Sequence, residues 1–336
     1  MTQVIDAEPK HRRSRARRAV IVALVMLLLG LGALAGGSWW TVKHYLGKID
    51  RMPGVFPTGE PPAEGKGGQN FLLVGIDARS DLPTTGKGAK GPVWEYGAQR
   101  SDTMLLVHIP ADHSAAYFVS LPRDSWVDVP GHGEAKLNAA FSWGGPPLLI
   151  DTVQRLTDLR IDHLAVLDWD GFKNLTDALG GVDIPLADGT ERHMNGKEAL
   201  AYVRERKSLA RGDLDRTHRQ QNYLRSVLTE TLANASLTSP LKTKGLLDKF
   251  TASVSVDDRL SDGDLLGLAW DLKGLRGRDL EFMNVPVTGT PMVRGQSTVE
   301  LDRVESRRLW QAVRDDDMAG YLAGDREVDQ LAEHPS

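Results

Sequence analysis

The chain has 336 residues, 41% of them hydrophobic and 26% charged, with a formal net charge of −4 at pH 7. These values are typical of a globular protein and exclude a wholly disordered chain. Because there is no cysteine, they also exclude a disulfide scaffold, a thiolate nucleophile, an iron-sulfur cluster and cysteine-ligated zinc, so any metal must be held by oxygen or imidazole.

The first 42 residues combine a basic segment with a long apolar run. Residues 1–18 have six basic and two acidic residues, which leaves a net charge of −8 for the rest of the chain. Residues 19–42 carry no charge and can cross a bilayer, whose hydrocarbon core is spanned by about 20 helical residues. The positive-inside rule therefore predicts a cytoplasmic tail over 1–18, one transmembrane helix over 19–42 and an extracytoplasmic, type II body in the cell membrane. The alternative is a cleaved signal peptide with a site at 33–35.

A Pro/Gly-rich stalk and one folded domain are expected to follow. Residues 43–69 include the sequence RMPGVFPTGEPPAEGKGGQ, which has no apolar period and predicts a flexible linker. Residues 70–315 are predicted to form the folded domain and 316–336 a frayed C-terminal tail. An acidic body of this kind is expected to repel nucleic-acid phosphates, so no nucleic-acid partner is predicted.

Within the domain, continuous apolar runs alternate with helical patterns. The predicted strands are 70–76, 103–109, 115–121, 163–167 and 280–287. The predicted helices are 147–156, 171–179, 196–202, 216–233, 240–250, 262–272 and 303–313. We expect Asp170 and Ser261 to cap two helix starts and Gly180 to end one helix. Strands without alternation are buried on both faces, which predicts a three-layer α/β/α sandwich with a central mixed sheet.

Charged residues gather at the ends of the first three strands. Asp77 follows the first strand, and Asp102 begins the second. If these strands are antiparallel neighbours, the two carboxylates lie at the same sheet edge, where they would suit a hard divalent cation such as Mg²⁺. The alternative is that both residues only cap turns.

A second charged region covers residues 200–225, with seven Lys or Arg against three acidic residues. Arg216 and Gln220 share one face of the helix that they open. Arg204 and Arg206 can act together only if the preceding helix ends near Val203. Arginine forks and a helix N-terminus bind phosphate oxygens, whereas the alternative is a solvated basic helix face.

Five ordered motifs resemble the LytR-CpsA-Psr family of cell-wall glycopolymer ligases. They are FLLVGID, RSDTMLLVHI, VSLPRDSWVDVPGHGEAKLNAAF, IDHLAVLDWDGFKNLTDALGGVDI and NGKEALAYVRER followed by GDLDRTHRQQ. The resemblance implies a phosphotransferase that moves a glycopolymer from a polyprenyl-pyrophosphate carrier to a peptidoglycan hydroxyl and forms a phosphodiester. It further implies Mg²⁺, or Mn²⁺ in its place, held by Asp77 and Asp102. The resemblance assigns pyrophosphate binding to Arg100, Arg123, Arg204, Arg206 and Arg216, with Asp213 and Gln220 as supporting polar residues and Lys136 as a positively charged residue near the site.

The sequence also carries an insertion, several histidines and aromatic residues, and an apolar sheet face beside the predicted site. The insertion 80–99 does not align with the family motifs and is expected either to shape acceptor access or to be inert. His108 and His132 are expected to be structural, and Tyr117, Phe141 and Trp143 to belong to the core. A slot for the polyprenyl chain is predicted between the helices near Leu175 and Leu224 and a sheet face formed by Leu72, Val74, Leu106 and Phe118. The alternatives to a ligase are a polyprenyl-pyrophosphate phosphatase and a membrane-tethered binder or transcriptional attenuator.

Overall fold

The computed structural model describes residues 47–78, 84–86, 89–205, 209, 213–233, 248–249, 251–272, 275–324 and 328–335. The predicted cytoplasmic tail and transmembrane segment lie outside these ranges, as do most of the predicted helix 240–250, Arg206, and the side chain of Asp213. Within the described ranges, no helix combines the length and hydropathy needed to cross a bilayer.

A seven-stranded mixed sheet forms the centre of the domain. In chain order the strands are β1 (Asp50–Met52), β2 (Gln69–Ala78), β3 (Gln99–Ile109), β4 (Ala116–Ser120), β5 (Trp126–Val129), β6 (Gly133–Lys136), β7 (His163–Asp168), β8 (Val182–Pro185), β9 (Glu191–Met194), β10 (Val254–Asp257), β11 (Leu280–Asn284), β12 (Val287–Gly289), β13 (Met292–Val293), β14 (Gln296–Ser297) and β15 (Glu300–Leu301). The sheet order is β1-β10-β7-β2-β3-β4-β11. Strands β1 and β10, β7 and β2, and β4 and β11 are parallel, and the other neighbours are antiparallel.

Helices cover both faces of this sheet. They are α1 (Leu137–Thr157), α2 (Trp169–Leu179), α3 (Gly196–Arg204), α4 (Asp213–Ala233), α5 (Asp262–Leu272), α6 (Arg303–Arg314) and α7 (Met318–Ala323). One core, here called the α4 face, includes Phe172, Val203, Tyr223 and Leu265 from α2, α3, α4 and α5. The opposite core, the α1 face, includes Phe141, Trp310 and Tyr321 from α1, α6 and α7. The predicted three-layer arrangement around a mixed sheet is confirmed.

Several predicted boundaries differ from the structure for local reasons. Helix α2 is capped by Asp168, whose carboxylate accepts a 2.7 Å hydrogen bond from Gly171 N, and not by Asp170. Gly180 ends it in the left-handed conformation, as predicted. Helix α1 begins ten residues earlier than predicted and is kinked at Gly145, where φ is 63°, because Pro146 and Pro147 interrupt the regular helix.

The chain segments on either side of the predicted domain pack against it. β1 pairs with β10, so the sheet begins at Asp50, inside the segment predicted as a linker. The prediction of a frayed end beyond Asp315 is wrong for the described residues. Helix α7 buries Met318 and Tyr321 in the α1 face, and Asp316 Oδ1 lies 2.9 Å from Nε2 of His108.

Candidate active site

A β-bulge brings the acidic and basic residues of two strands to one sheet face. Leu73 pairs with Leu105 and Gly75 with Thr103, but the register shifts after Gly75, so that Asp77 pairs with Arg100. A regular ladder would place Ser101 opposite Asp77 and would turn Arg100 and Asp102 to the other face. Because a bulge inserts one extra residue and re-aims the side chains beyond it, Arg100 and Asp102 join Asp77 on the α4 face.

These three residues line a polar cavity of about 320 Å³ at the end of the sheet. Among the described residues, the wall is formed by Asp77, Arg100, Asp102, Arg123, Trp169, Val203, Arg204, Arg216 and Gln220. Seven of the nine residues are ones that the sequence predicted for the site. They lie on β2, β3 and the loop after β4, at the start of α2, at the end of α3 and in the N-terminal half of α4. Two strands, one loop and three helices therefore meet at this cavity.

A series of ion pairs holds the side chains on one side of the polar cavity in place. Arg123 Nη1 donates a short hydrogen bond to Asp102 Oδ1, and both side chains are largely buried, at 15% and 10% exposure. Arg123 Nε lies 3.7 Å from Asp124, and Lys136 Nζ lies 3.1 Å from the same carboxylate. Lys136 therefore supports Arg123 through Asp124 and is not part of the cavity wall.

Helix α3 ends where a functional arginine pair requires it to end. Its last residue is Arg204, and the next residue, Glu205, is extended, with φ −62° and ψ 138°. The guanidinium of Arg204 lies 3.9 Å from Asp77 Oδ1 and 5.3 Å from the ring centroid of Trp169. Both Arg204 and Asp77 are partly exposed, so this ion pair is open to a ligand.

Helix α4 contributes the buried part of the basic wall. It starts at Asp213, three residues earlier than predicted, so Arg216 lies in its first turn. Arg216 is only 2% exposed and Gln220 is 9% exposed, yet both line the polar cavity. A buried guanidinium near a helix N-terminus, where backbone N–H groups point outward, is suited to binding an anion. The solvated-surface alternative is wrong for Arg216.

An apolar cavity of about 200 Å³ adjoins the polar one, between the sheet and helices α2 and α4. Trp169, Val203 and Gln220 line both cavities, so a charged cavity and an apolar cavity lie side by side at these residues. Tyr223 also lines the apolar part, where burial raises the pKa of its hydroxyl, which shares a 2.6 Å hydrogen bond with Thr176. The wall at this position is therefore uncharged.

The predicted slot is present, but three of the four predicted sheet residues belong to the other face. Phe118, Leu175 and Leu224 line the apolar cavity, as predicted. Leu72, Val74 and Leu106 pack in the core of the α1 face, although Val74 also borders the cavity. Because adjacent strand residues point to opposite faces, their positions in the cavity wall are taken by the neighbours Leu73, Leu105 and Val107.

Two wall residues, Trp169 and Val203, are absent from the sequence prediction. Trp169 directly follows Asp168, the last residue of β7, and this position at a strand end was a usable signal. Val203 was identified only as the residue at which α3 should end. Both residues are apolar, whereas phosphates are bound by charged and polar side chains, so neither residue was expected in the site.

His108 has the structural role that was predicted, and the aromatic residues pack in or against the core. His108 is buried between Asn70 Oδ1 and Asp316 Oδ1, at 2.9 Å from each. His132 lies against Trp143, with ring centroids 4.9 Å apart. Phe141 and Tyr117 are buried in the α1 face, and Trp143 is partly buried against it.

The described part of the insertion is anchored on both faces of the domain. The backbone N–H groups of Thr84 and Thr85 donate to Asp168 Oδ2 at 2.7 and 3.2 Å. Further along, Gly97 N donates to Ser142 O of α1 at 2.9 Å. The insertion therefore crosses the cavity end of the sheet between these two anchors.

The arrangement matches a known family over most of the chain. The model of the LytR_cpsA_psr family matches residues 50–315. The chain belongs to the LytR-CpsA-Psr family. The cell wall biosynthesis protein LcpA of Corynebacterium glutamicum is 30% identical over 336 residues, covering 87% of this chain and 64% of LcpA. The polyisoprenyl-teichoic acid–peptidoglycan teichoic acid transferase TagU of Halalkalibacterium halodurans is 31% identical over 233 residues, covering 66% of this chain and 69% of TagU.

Solved structures of LytR-CpsA-Psr proteins share this fold. The structure of YwtF (TagT) with bound octaprenyl pyrophosphate lipid is 23% identical, covers 98% of that chain and 78% of this one, and has a TM-score of 0.54. The chain spans less than two thirds of the length of LcpA.

Proposed function

We propose that this LytR-CpsA-Psr protein is a phosphotransferase that moves a glycopolymer from a polyprenyl-pyrophosphate carrier to a peptidoglycan hydroxyl. The observation that carries the proposal is the adjacency of the charged cavity and the apolar cavity, because a polyprenyl pyrophosphate has a doubly charged head joined to an apolar chain. The names of relatives support it, since TagU is a teichoic acid transferase and TagT was solved with octaprenyl pyrophosphate.

In the proposed complex, the pyrophosphate lies in the polar cavity and the prenyl chain lies between the sheet and α4. Arg100, Arg123, Arg204 and Arg216 surround the phosphates, and Arg206 is proposed to join them. Their guanidinium groups neutralise the nonbridging oxygens, where charge accumulates in the transition state. Gln220 sits at the junction of head and chain. Asp213, at the start of α4, is proposed to support this set.

The reaction needs no covalent enzyme intermediate. The acceptor hydroxyl oxygen attacks the phosphorus that carries the glycopolymer and loses its proton. The bond from that phosphorus to the bridging oxygen breaks, and polyprenyl monophosphate leaves with that oxygen. The products are a glycopolymer linked to peptidoglycan through a phosphodiester and the released lipid phosphate.

The donor set of the cavity fits a hard divalent cation. Among the residues that the structure describes, Asp77 and Asp102 are the two carboxylates in its wall, and no group of three metal-binding side chains forms. Mg²⁺ is commonly held by one or two carboxylates, with water and substrate phosphates completing its coordination. We propose that these two residues hold Mg²⁺, or Mn²⁺ in its place, which would supply further charge neutralisation at the phosphates.

The same proposal places the domain outside the cell. The basic tail over 1–18 and the apolar run over 19–42 support a single-pass anchor with its N-terminus in the cytoplasm. Both proposed substrates, the lipid-linked donor and peptidoglycan, are then on the side of the membrane that holds the catalytic domain.

The test is a transfer assay with the full-length protein in detergent. A labelled glycopolymer on a polyprenyl-pyrophosphate carrier is incubated with and without peptidoglycan oligosaccharide. We expect phosphodiester-linked product only with the acceptor, loss of turnover in excess chelator, and loss of turnover in Asp102→Asn. Asp151→Asn, which changes an aspartate paired with Arg155 on the outside of α1, is the matched control and should keep full activity.

The other outcomes identify the rival functions. Release of polymer to water at the same rate with and without acceptor would show a phosphatase. Binding of the donor without turnover would show a membrane-tethered binder. Full turnover in chelator would contradict the metal proposal and leave the arginine site in place.

A further inference from the structure

The insertion presents one aromatic side chain beside the cavity end of the sheet. Tyr96 is 71% exposed, and the other highly exposed large apolar residues in the described ranges are Met292 and Val304. Tyr96 is four residues before Arg100, which places its backbone within about 14 Å of the backbone of that cavity residue. An exposed tyrosine so close to a reaction site is open to a substrate.

The turn that carries Tyr96 is fixed by hydrogen bonds on both sides of the residue. Glu95 N donates to Gln99 Oε1 at 2.6 Å, and Ala98 N donates to Glu95 O at 3.0 Å. Gly97 N donates to Ser142 O of α1 at 2.9 Å. Because the backbone is held in this way, the ring is presented at little cost in conformational entropy.

The turn that carries Tyr96 is attached to the face of the sheet opposite the proposed lipid site. The apolar cavity lies on the α4 face, whereas the turn is attached to α1 on the opposite face. Helix α1 is itself tied to the cavity, since Asn138 N donates to Arg123 O at 3.0 Å. If the donor enters from the α4 face, the α1 side remains for the acceptor.

The surroundings of Tyr96 favour a sugar over a membrane or a protein. Its neighbour Glu95 is exposed, and the other two highly exposed large apolar residues of the described ranges, Met292 and Val304, belong to β13 and α6. Membrane insertion and stable protein docking need contiguous apolar area. A single flat ring with a polar hydroxyl suits the face of a sugar ring, which presents C–H groups bordered by hydroxyls.

We infer that Tyr96 forms an acceptor subsite, where its ring stacks on a sugar of the peptidoglycan glycan strand next to the attacking hydroxyl. This inference deepens the proposed function and rests on it. Tyr96 acts by positioning the acceptor and takes no part in proton or phosphoryl transfer.

The test compares Tyr96→Ala, Tyr96→Phe and the control Met292→Ala in the full-length protein. Met292 is 67% exposed and lies on β13, so its change removes a similar exposed side chain outside the cavity wall. We expect Tyr96→Ala to bind uncrosslinked peptidoglycan oligosaccharide about tenfold more weakly and to raise the acceptor KM by a similar factor. Octaprenyl pyrophosphate binding and kcat should stay unchanged, and Tyr96→Phe and Met292→Ala should resemble the wild type.

Each other result has a definite meaning. Equal oligosaccharide affinity in Tyr96→Ala and the wild type, or no measurable affinity in either, would overturn the acceptor subsite. Weaker binding to phosphatidylglycerol vesicles with unchanged oligosaccharide affinity would identify a membrane contact instead and would equally overturn it. If the wild type binds oligosaccharide through Tyr96 but does not consume the donor, the proposed transferase function fails while the glycan contact stands.

Discussion

At the scale of single residues, the arginines of the polar cavity differ in their surroundings. Arg216 is buried, and Arg123 is held by Asp102, whereas Arg204 is half exposed. The exposed arginines can therefore be substituted with little risk to the fold. Their planar guanidinium forks, and not their charge alone, are what a pyrophosphate requires.

We predict that Arg100→Lys and Arg204→Lys each reduce the transfer rate nearly as far as the corresponding alanine variants. A transition-state arginine in phosphoryl transfer is worth about 10³ or more in rate. Arg155→Lys is the control, because Arg155 is an exposed arginine in an i,i+4 pair with Asp151 on α1. The measurement is transfer of labelled polymer at unchanged melting temperature, and wild-type rates in both cavity variants would remove the support for the arginine site.

Buried His108 is a second residue with a measurable consequence. Burial lowers the pKa of its imidazole below the ordinary value of 6.5 and outweighs the opposing hydrogen bond and charge of Asp316 and the charge of Asp162. As the pH falls below about 6.5, the unfolded chain gains a proton at this position that the folded protein does not take up. The free energy of unfolding should therefore decrease on acidification.

We expect this decrease to be smaller in His108→Gln, which removes the titrating group. The measurement is urea unfolding of both proteins at several pH values between about pH 5 and pH 8. An identical pH dependence in the two proteins would show that His108 does not contribute.

At the scale of elements, β2, β3 and α4 determine the shape of the site. The long apolar runs predicted β2, β3, β4 and β7, because such runs indicate buried strands whatever their exact register. The bulge after Gly75 was not predicted, although a glycine inside a strand run such as FLLVGID often marks an irregular ladder. Without the position of the bulge, the face of each strand residue could not be assigned to one cavity or the other.

The capping of α2 shows a similar limit. Asp168 and Asp170 are both acceptable N-caps by composition, and only the tertiary contacts of Asp168 distinguish them. Its second carboxylate oxygen accepts hydrogen bonds from Thr84 and Thr85 of the insertion. Such long-range partners are not visible in a local pattern.

We predict that a large side chain on β7 separates binding of the lipid chain from binding of the phosphates. Ala165 lines the apolar cavity and does not line the polar one. Ala165→Phe should fill space needed by the prenyl chain and weaken octaprenyl pyrophosphate binding at least about tenfold, given about 0.8 kcal/mol for each buried methylene. Inorganic pyrophosphate should bind as it does to the wild type, and equal affinity of the variant for octaprenyl pyrophosphate would place the chain elsewhere.

At the scale of the whole molecule, the described domain carries the proposed chemistry, and we propose that the N-terminal 42 residues anchor it in the membrane. The charge difference between the basic tail and the acidic remainder is a property of the sequence alone. It predicts the orientation in the membrane without reference to the fold.

This orientation is tested with intact cells from which the wall has been removed. Protease added outside should remove an epitope tag at Ser336 and should spare a tag at Met1. A tag at Ser336 that survives while a cytoplasmic marker also survives would contradict the external position of the domain.

The central claim is that one polyprenyl pyrophosphate occupies both cavities, and a crystal structure with octaprenyl pyrophosphate tests it most directly. We predict continuous density that begins between Asp102, Arg123 and Arg204, passes Trp169 and Gln220, and ends between the sheet and Tyr223 of α4. Lipid density at another surface, or a chain that enters the apolar space with its phosphates away from the arginines, would contradict the claim.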